Sequence, residues 1–162
     1  MRLPQFIDIE FAESEGRLIP VAAAWSLEDG RIKAVVIMPD ESWLPDDPED
    51  LSVDMTRLQE HGVPAIDAVQ EMTMDLADRT VFCDGVDPDE ELVELLYAAF
   101  GQDPNFEVAP ISNLINTLSV DEIDDRRREL CQEHDLEPEL PEATVLSLLL
   151  LTADCGELPQ PE

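Results

Sequence analysis

Asp8 and Glu10, in the segment Gln5-Phe6-Ile7-Asp8-Ile9-Glu10-Phe11, stand at a spacing that lets two carboxylates act together. The apolar/acidic alternation is that of a strand. Residues two apart on a strand share a face, so the two carboxylates project together, about 7 Å apart along the chain. Carboxylates that converge repel one another unless a cation sits between them, and hard oxygen ligands favour magnesium or manganese. A second acidic group follows in Phe82-Cys83-Asp84-Gly85-Val86-Asp87-Pro88-Asp89. Asp84 falls at the carboxyl end of a short apolar run, where ligands gather in open α/β sheets. Asp87 fits a helix N-cap, and Asp89 lies in the first turn, where a negative charge suits the helix dipole.

Several elements must position these side chains. Leu18 to Ser26 and Arg31 to Met38 read as strands joined by the turn Leu27-Glu28-Asp29-Gly30. Residues 39–54 form an acidic, proline-punctuated stretch that includes Trp43 and Pro45-Asp46-Asp47-Pro48-Glu49-Asp50, a surface loop by composition. A helix starts near Pro64 and carries an apolar stripe of Ile66, Val69, Met72 and Leu76. Thr80 to Cys83 is a short buried strand. The helix after it, opened by Asp87-Pro88-Asp89-Glu90, carries Leu92, Leu95, Leu96 and Ala99 and stops at Gly101. Phe106 to Val108 is the last strand. Ser119-Val120-Asp121-Glu122 is a capping box that opens a helix through about His134, and a largely buried helix spans about Glu142 to Ala153. The order is three antiparallel strands, helix, strand, helix, strand and two helices. It implies an α/β fold with a mixed sheet of about five strands flanked by helices, in one domain over 1–154 with an acidic, proline-containing tail at 155–162.

The composition restricts the function classes. With 44% hydrophobic residues the chain folds rather than staying disordered. Its 39 acidic against 9 basic residues give a formal charge of −30, so it lacks the broad basic face that neutralises phosphates in most nucleic-acid binders. Such a charge keeps a protein solvated, or forms a surface that mimics nucleic acid or binds a basic protein partner. Arg126-Arg127-Arg128 could touch a phosphate, but beside Asp124, Asp125 and Glu129 it reads as a set of surface ion pairs. Cys83, Cys131 and Cys155 show no metal-ligand spacing and suit a reducing cytoplasm as small core residues. No signal peptide and no apolar run of membrane-spanning length is evident, so the expectation is a soluble, cytoplasmic protein with no membrane partner. P-loop, dinucleotide-binding, serine-nucleophile and zinc patterns are all absent. Trp25, Trp43 and Tyr97 are too scattered for a base-stacking platform.

A first strand bearing Asp8-x-Glu10, followed by a hairpin, resembles the DnaQ-like 3′–5′ exonucleases of the ribonuclease H-like fold. The resemblance extends along nearly the whole chain. It implies that Asp8, Glu10 and an acid at the start of a central helix hold magnesium or manganese for hydrolysis at single-stranded DNA or RNA 3′ ends. By position along the helix stripe Asp89 matches that family acid, with Asp84 the other candidate. His61, in Glu60-His61-Gly62-Val63, matches a structural His-Gly segment of the family. Many family members are dimers, so a homodimer is also implied. One motif departs from the family: a His and an Asp are expected at the last helix, where this chain has Leu140-Pro141-Glu142-Ala143-Thr144-Val145-Leu146-Ser147. Glu142 or Glu139 is the available substitute ligand. His134-Asp135 has the wrong spacing, and His134 suits the dipole at a helix end instead. Without that histidine the general base is missing, a contribution of about 10²–10⁴-fold in rate. The alternative implied is a domain of the same fold that has lost catalysis and serves in binding.

Overall fold

The computed structural model describes residues 3–14, 16–43, 55–85, 88–137 and 140–155. Among them six strands form one mixed sheet: β1 (Gln5–Ser14), β2 (Arg17–Ser26), β3 (Ile32–Met38), β4 (Val63–Pro64), β5 (Thr80–Cys83) and β6 (Glu107–Pro110). Their spatial order is β4-β3-β2-β1-β5-β6. β2 is antiparallel to both β1 and β3, while β4 runs parallel to β3, and β5 and β6 run parallel to β1. The sheet therefore has one strand more than the sequence pattern suggests. β4 is the addition, and two residues are too few to leave a periodic signal. The turn into β3 forms as expected. The Gly30 N–H donates to the Leu27 carbonyl at 2.9 Å, with Gly30 at φ +89°, a conformation that glycine adopts without strain.

Five helices among the described residues cover both faces: α1 (Met55–His61), α2 (Ala65–Asp75), α3 (Asp89–Ala98), α4 (Val120–Glu133) and α5 (Pro141–Asp154). On the first face Ile7, Ile9, Ala23, Trp25 and Ile37 pack with Leu58 of α1, Val69 and Met72 of α2, and Leu92 and Leu96 of α3. On the second, Phe6 and Ala24 pack with Ile123 and Leu130 of α4 and with Val145, Leu148 and Leu151 of α5. Among the described residues no helix is long and apolar enough to cross a membrane.

Several local expectations shift. Trp43 is buried in the first core at the end of a 3₁₀ turn (Glu41–Trp43) rather than sitting in a surface loop. An indole's apolar area outweighs the polar composition of its neighbours. The acidic run at residues 45–50 lies outside the described residues. α1 is an element that the sequence pattern does not reveal, being too short to carry a clear period. Pro64 ends β4 and occupies the cap position of α2, whose buried stripe is Ala65, Ala68, Val69 and Met72 with Ile66 only half-buried. α3 begins at Asp89 with Pro88 in the cap position, and Asp87, the expected N-cap, lies outside the described residues. The capping box of α4 forms: Ser119 Oγ accepts from the Glu122 N–H at 3.2 Å, and Glu122 Oε1 accepts from the Ser119 N–H at 3.1 Å. Cys83 and Cys131 are buried, as core thiols should be, and Cys155 is half-buried.

The last residue of α2 fastens three strands. The indole N–H of the fully buried Trp25 donates to Asp75 Oδ2 at 2.9 Å, Lys33 Nζ meets the same oxygen at 2.9 Å, and Gln5 Nε2 donates to the Asp75 carbonyl at 3.2 Å. Asp75→Ala leaves the buried indole donor without its acceptor, a loss of about 1–3 kcal/mol. Lys33→Met removes only a half-exposed ion pair and is expected to cost well under half of that; denaturant midpoints compare the two directly. Gly62, between α1 and β4, has no room for a side chain. An added Cβ would collide with the Leu58 carbonyl oxygen and stand 2.8 Å from the Met38 nitrogen, both rigid backbone. Gly62→Ala is expected to cost about 1–3 kcal/mol and to expose the β4 amides to hydrogen exchange before the rest of the sheet.

Candidate metal centre

Strand register brings the first two acids side by side. β1 and β5 pair in parallel with Phe6 opposite Phe82, and both rings lie on the second face, their centroids 6.2 Å apart. Two residues further along each strand the same phase sets Asp8 beside Asp84, on neighbouring strands spaced by about 4.8 Å. Across the other edge of β1, Asp8 pairs with Ala24 and Glu10 with Ala22, so the opposing side chains are small. β5 stops at Cys83, which leaves the Ile9 N–H without a strand partner on that side. Asp89, the first residue of α3, fills the gap: its Oδ1 accepts from the Ile9 N–H at 3.1 Å.

The result is a cluster in which Asp8, Asp84 and Asp89 each offer a carboxylate oxygen, all within 4.8 Å of one another. Asp8 is 6% exposed and Asp89 2%, whereas Asp84 is open to solvent. Asp8 Oδ2 is buried and has no hydrogen-bond partner among the described residues. Burial is the main reason that the Asp8 carboxyl titrates far above its ordinary range; the adjacent Glu10 carboxyl and the charges of Asp89 and Asp84 push it further. Burial also raises Asp89, followed by the charge of Asp84, against the lowering effect of the Ile9 N–H. Cys83 sits below the cluster with its thiol donating to the Gly85 carbonyl at 2.7 Å. Burial and the charges of Asp89 and Asp84 push that thiol up to about 12, so it stays protonated and is a poor nucleophile or ligand.

Three acids that repel one another around an orphaned buried oxygen are matched by a divalent cation with oxygen preference, and this donor set fits magnesium or manganese. Asp8, Asp84 and Asp89 all join the cluster, so both of the acids weighed from the sequence, Asp84 and Asp89, stand beside Asp8. Glu10 lies beside Asp8, half-buried, without supplying one of the three converging oxygens. Glu142 is half-buried in the first turn of α5 and outside the cluster, and Glu139 lies outside the described residues. His61 ends α1 and His134 occupies the C-cap of α4, both exposed.

One residue reaches this site although its sequence context points to a surface ion pair. Arg126 binds Glu129, Glu133 and Asp154, and Arg128 lies 3.6 Å from Asp125, as surface ion pairs should. Arg127 instead directs Nη1 to Asp84 Oδ2 at 3.5 Å and donates from Nε to the buried Ser147 hydroxyl of α5 at 3.2 Å. A signal exists in the chain, because consecutive helical residues diverge by roughly 100°, so three arginines in a row cannot all serve one surface.

No protein-family model matches the chain, and no curated protein matches it either. What stands is an α/β fold with a mixed six-stranded sheet, and a three-carboxylate cluster able to hold a metal ion where β1, β5 and α3 meet.

Proposed function

We propose that the protein is a ribonuclease H-like, divalent-metal-dependent phosphodiesterase that removes nucleotides from single-stranded nucleic acid 3′ ends. The observation that carries this is the buried, unpartnered Oδ2 of Asp8 in a group of three carboxylates whose oxygens approach within 4.8 Å, an arrangement costly when ionised without a cation. The strand order, with an antiparallel β1–β2–β3 set extended by parallel β5 and β6, is in keeping with that fold. Asp8, Asp84 and Asp89 would hold the ion. Magnesium or manganese supplies positive charge for the phosphate's developing negative charge and makes water a stronger acid. No histidine joins the cluster among the described residues, so Glu10, next to Asp8, is the group placed to take the proton of the attacking water. Water adds to phosphorus, the bond from phosphorus to the preceding O3′ breaks, that oxygen leaves as a hydroxyl, and the terminal residue departs as a nucleoside 5′-monophosphate.

The test is a 5′-labelled single-stranded oligonucleotide incubated with manganese, beside an Asp8→Ala control and manganese calorimetry. A ladder of shortened products from the parent protein alone is the expected result. An intact oligonucleotide together with no heat of manganese binding overturns the reading and turns attention to the acidic surface and basic partners.

A further inference from the structure

A nucleic-acid end approaching a chain of formal charge −30 meets repulsion that one divalent ion does not offset locally. Asp8, Asp84 and Asp89 carry three formal negative charges when ionised, and a single ion supplies two positive ones. A third positive charge stands beside them on α4. We propose that Arg127 is the phosphate-binding residue of this site, its guanidinium taking a non-bridging oxygen of the terminal nucleotide, so that one ion and one arginine do the electrostatic work. This inference rests on the metal-dependent reading above.

Four observations support the assignment. First, Arg127 differs from its neighbours in reaching the cluster: Arg126 is engaged by three other carboxylates, and Arg128 lies 3.6 Å from Asp125. Second, the guanidinium is held in a built socket. Its Nε donates to Ser147 Oγ, that fully buried hydroxyl donates to the Thr144 carbonyl at 2.7 Å, and the arginine side chain is only 17% exposed. A serine in the middle of an apolar helix is explained by this duty. Third, the contact with Asp84 is loose. Charge-assisted N–H···O bonds are usually about 2.7–2.9 Å, and 3.5 Å leaves Nη1 close to the carboxylate without being seated on it. When Asp84 turns to a cation, the guanidinium keeps its Ser147 anchor and can accept a new anion. Fourth, Arg127 is shared between the carboxylate cluster and a groove of about 570 Å³ along α4, bordered also by Asp124, Arg128, Cys131, Gln132, Asp135 and Leu136. That volume is in the range of small-molecule sites, and its wall offers two cations balanced by two carboxylates, an amide and apolar atoms, so hydroxyls and a base edge find donors and acceptors there. The planar guanidinium also matches the two-oxygen edge of a phosphate, which a lysine does not.

The experiment is calorimetry with manganese alone, and then with adenosine 5′-monophosphate at saturating manganese, on the full chain and on Arg127→Ala, Arg127→Lys and Ser147→Ala. The expected result is that Arg127→Ala keeps manganese affinity within about threefold and weakens nucleotide binding at least tenfold. Arg127→Lys is expected to fall between Ala and the parent, and Ser147→Ala, which frees the guanidinium from its anchor, to weaken the nucleotide severalfold. Parent-like nucleotide affinity in both Arg127 variants, with manganese still bound, overturns the inference and leaves the metal reading intact. Should Arg127→Ala not fold, parent-like affinity in both Arg127→Lys and Ser147→Ala overturns it equally. No manganese uptake by the parent protein removes both this inference and the reading beneath it.

Discussion

Asp8→Asn is expected to remove divalent-ion binding while making the metal-free protein more stable, two effects that rarely accompany one another in a core substitution. The side chain is nearly isosteric, so packing between Ala24 and α5 is preserved. What changes is charge. A carboxylate about 4 Å from a divalent ion gains about 8 kcal/mol at an effective dielectric of 20, and with roughly half of that offset by dehydration affinity should fall by on the order of 10²–10³-fold. In the absence of metal, the same carboxyl is buried beside Asp89, Glu10 and Asp84, and its Oδ2 has no donor. An amide in its place adds N–H donors facing those carboxylates and needs no proton taken up on folding. A gain of about 1–3 kcal/mol follows, which for a chain of this size raises Tm by roughly 3–10 °C. Calorimetry with manganese and thermal melts in chelator check the two halves independently. Lost stability without lost metal affinity would show that Asp8 is an ordinary core residue, and the proposed centre would fall with it.

The second large effect is an inverted dependence of stability on pH. The carboxyls of both Asp8 and Asp89 titrate above their ordinary value of 3.8, first because they are buried and then because of the neighbouring acids. The folded chain therefore holds protons that the unfolded chain has released. Stability from these groups is fully present below the unfolded value and is lost as pH rises toward the raised folded values. Most proteins gain stability over the lower part of this range as paired carboxylates ionise. Counting only one tenfold gain in proton affinity at each of the two carboxyls, about 1.4 kcal/mol apiece, and about 2–4 °C per kcal/mol, Tm in chelator should fall by about 6–11 °C between pH 5 and pH 8. Saturating manganese should flatten the slope, because the ion then takes the place of the protons, and its binding at pH 6 should release protons into the buffer. Asp8→Asn should flatten part of the slope without metal. A Tm that rises steadily from pH 5 to pH 8 in chelator would sink this account of the cluster.

The site is partly legible in the chain because its acids lie at strand and helix ends, which local patterns mark well. Asp8 and Glu10 stand in a clean alternation, and Asp84 follows the apolar run Val81-Phe82-Cys83. That Asp8 and Asp84 become neighbours depends on the Phe6–Phe82 register, which is set by packing on the second face and has no local signature. Asp89 resembles a helix-dipole residue, and its bond to the Ile9 N–H arises only because β5 ends where β1 continues. Arg127 is hidden by composition: within an acidic and basic run it resembles its neighbours, and only the helical phase of α4 against α5 separates it from them. The capping box of α4 is readable because all of its partners lie within four residues. α1 and β4 leave no trace because seven and two residues are too short to show a period.

The two cores divide the chain along its length as well as by face. The first is built from residues between Ile7 and Phe106, whereas the second needs Ile111 to Leu151 to close over Phe6 and Ala24. Loss of the carboxyl-terminal third would therefore strip the second core while leaving the residues of the first. A chain ending near residue 106 would hold β1, β5 and α3, and so all three carboxylates, without α4 and α5. It would carry the acids without the guanidinium and present the bare second face of its sheet to the cell. Released as a truncated product, such a chain would be a half-covered sheet, a state exposed to aggregation and to capture by chaperones.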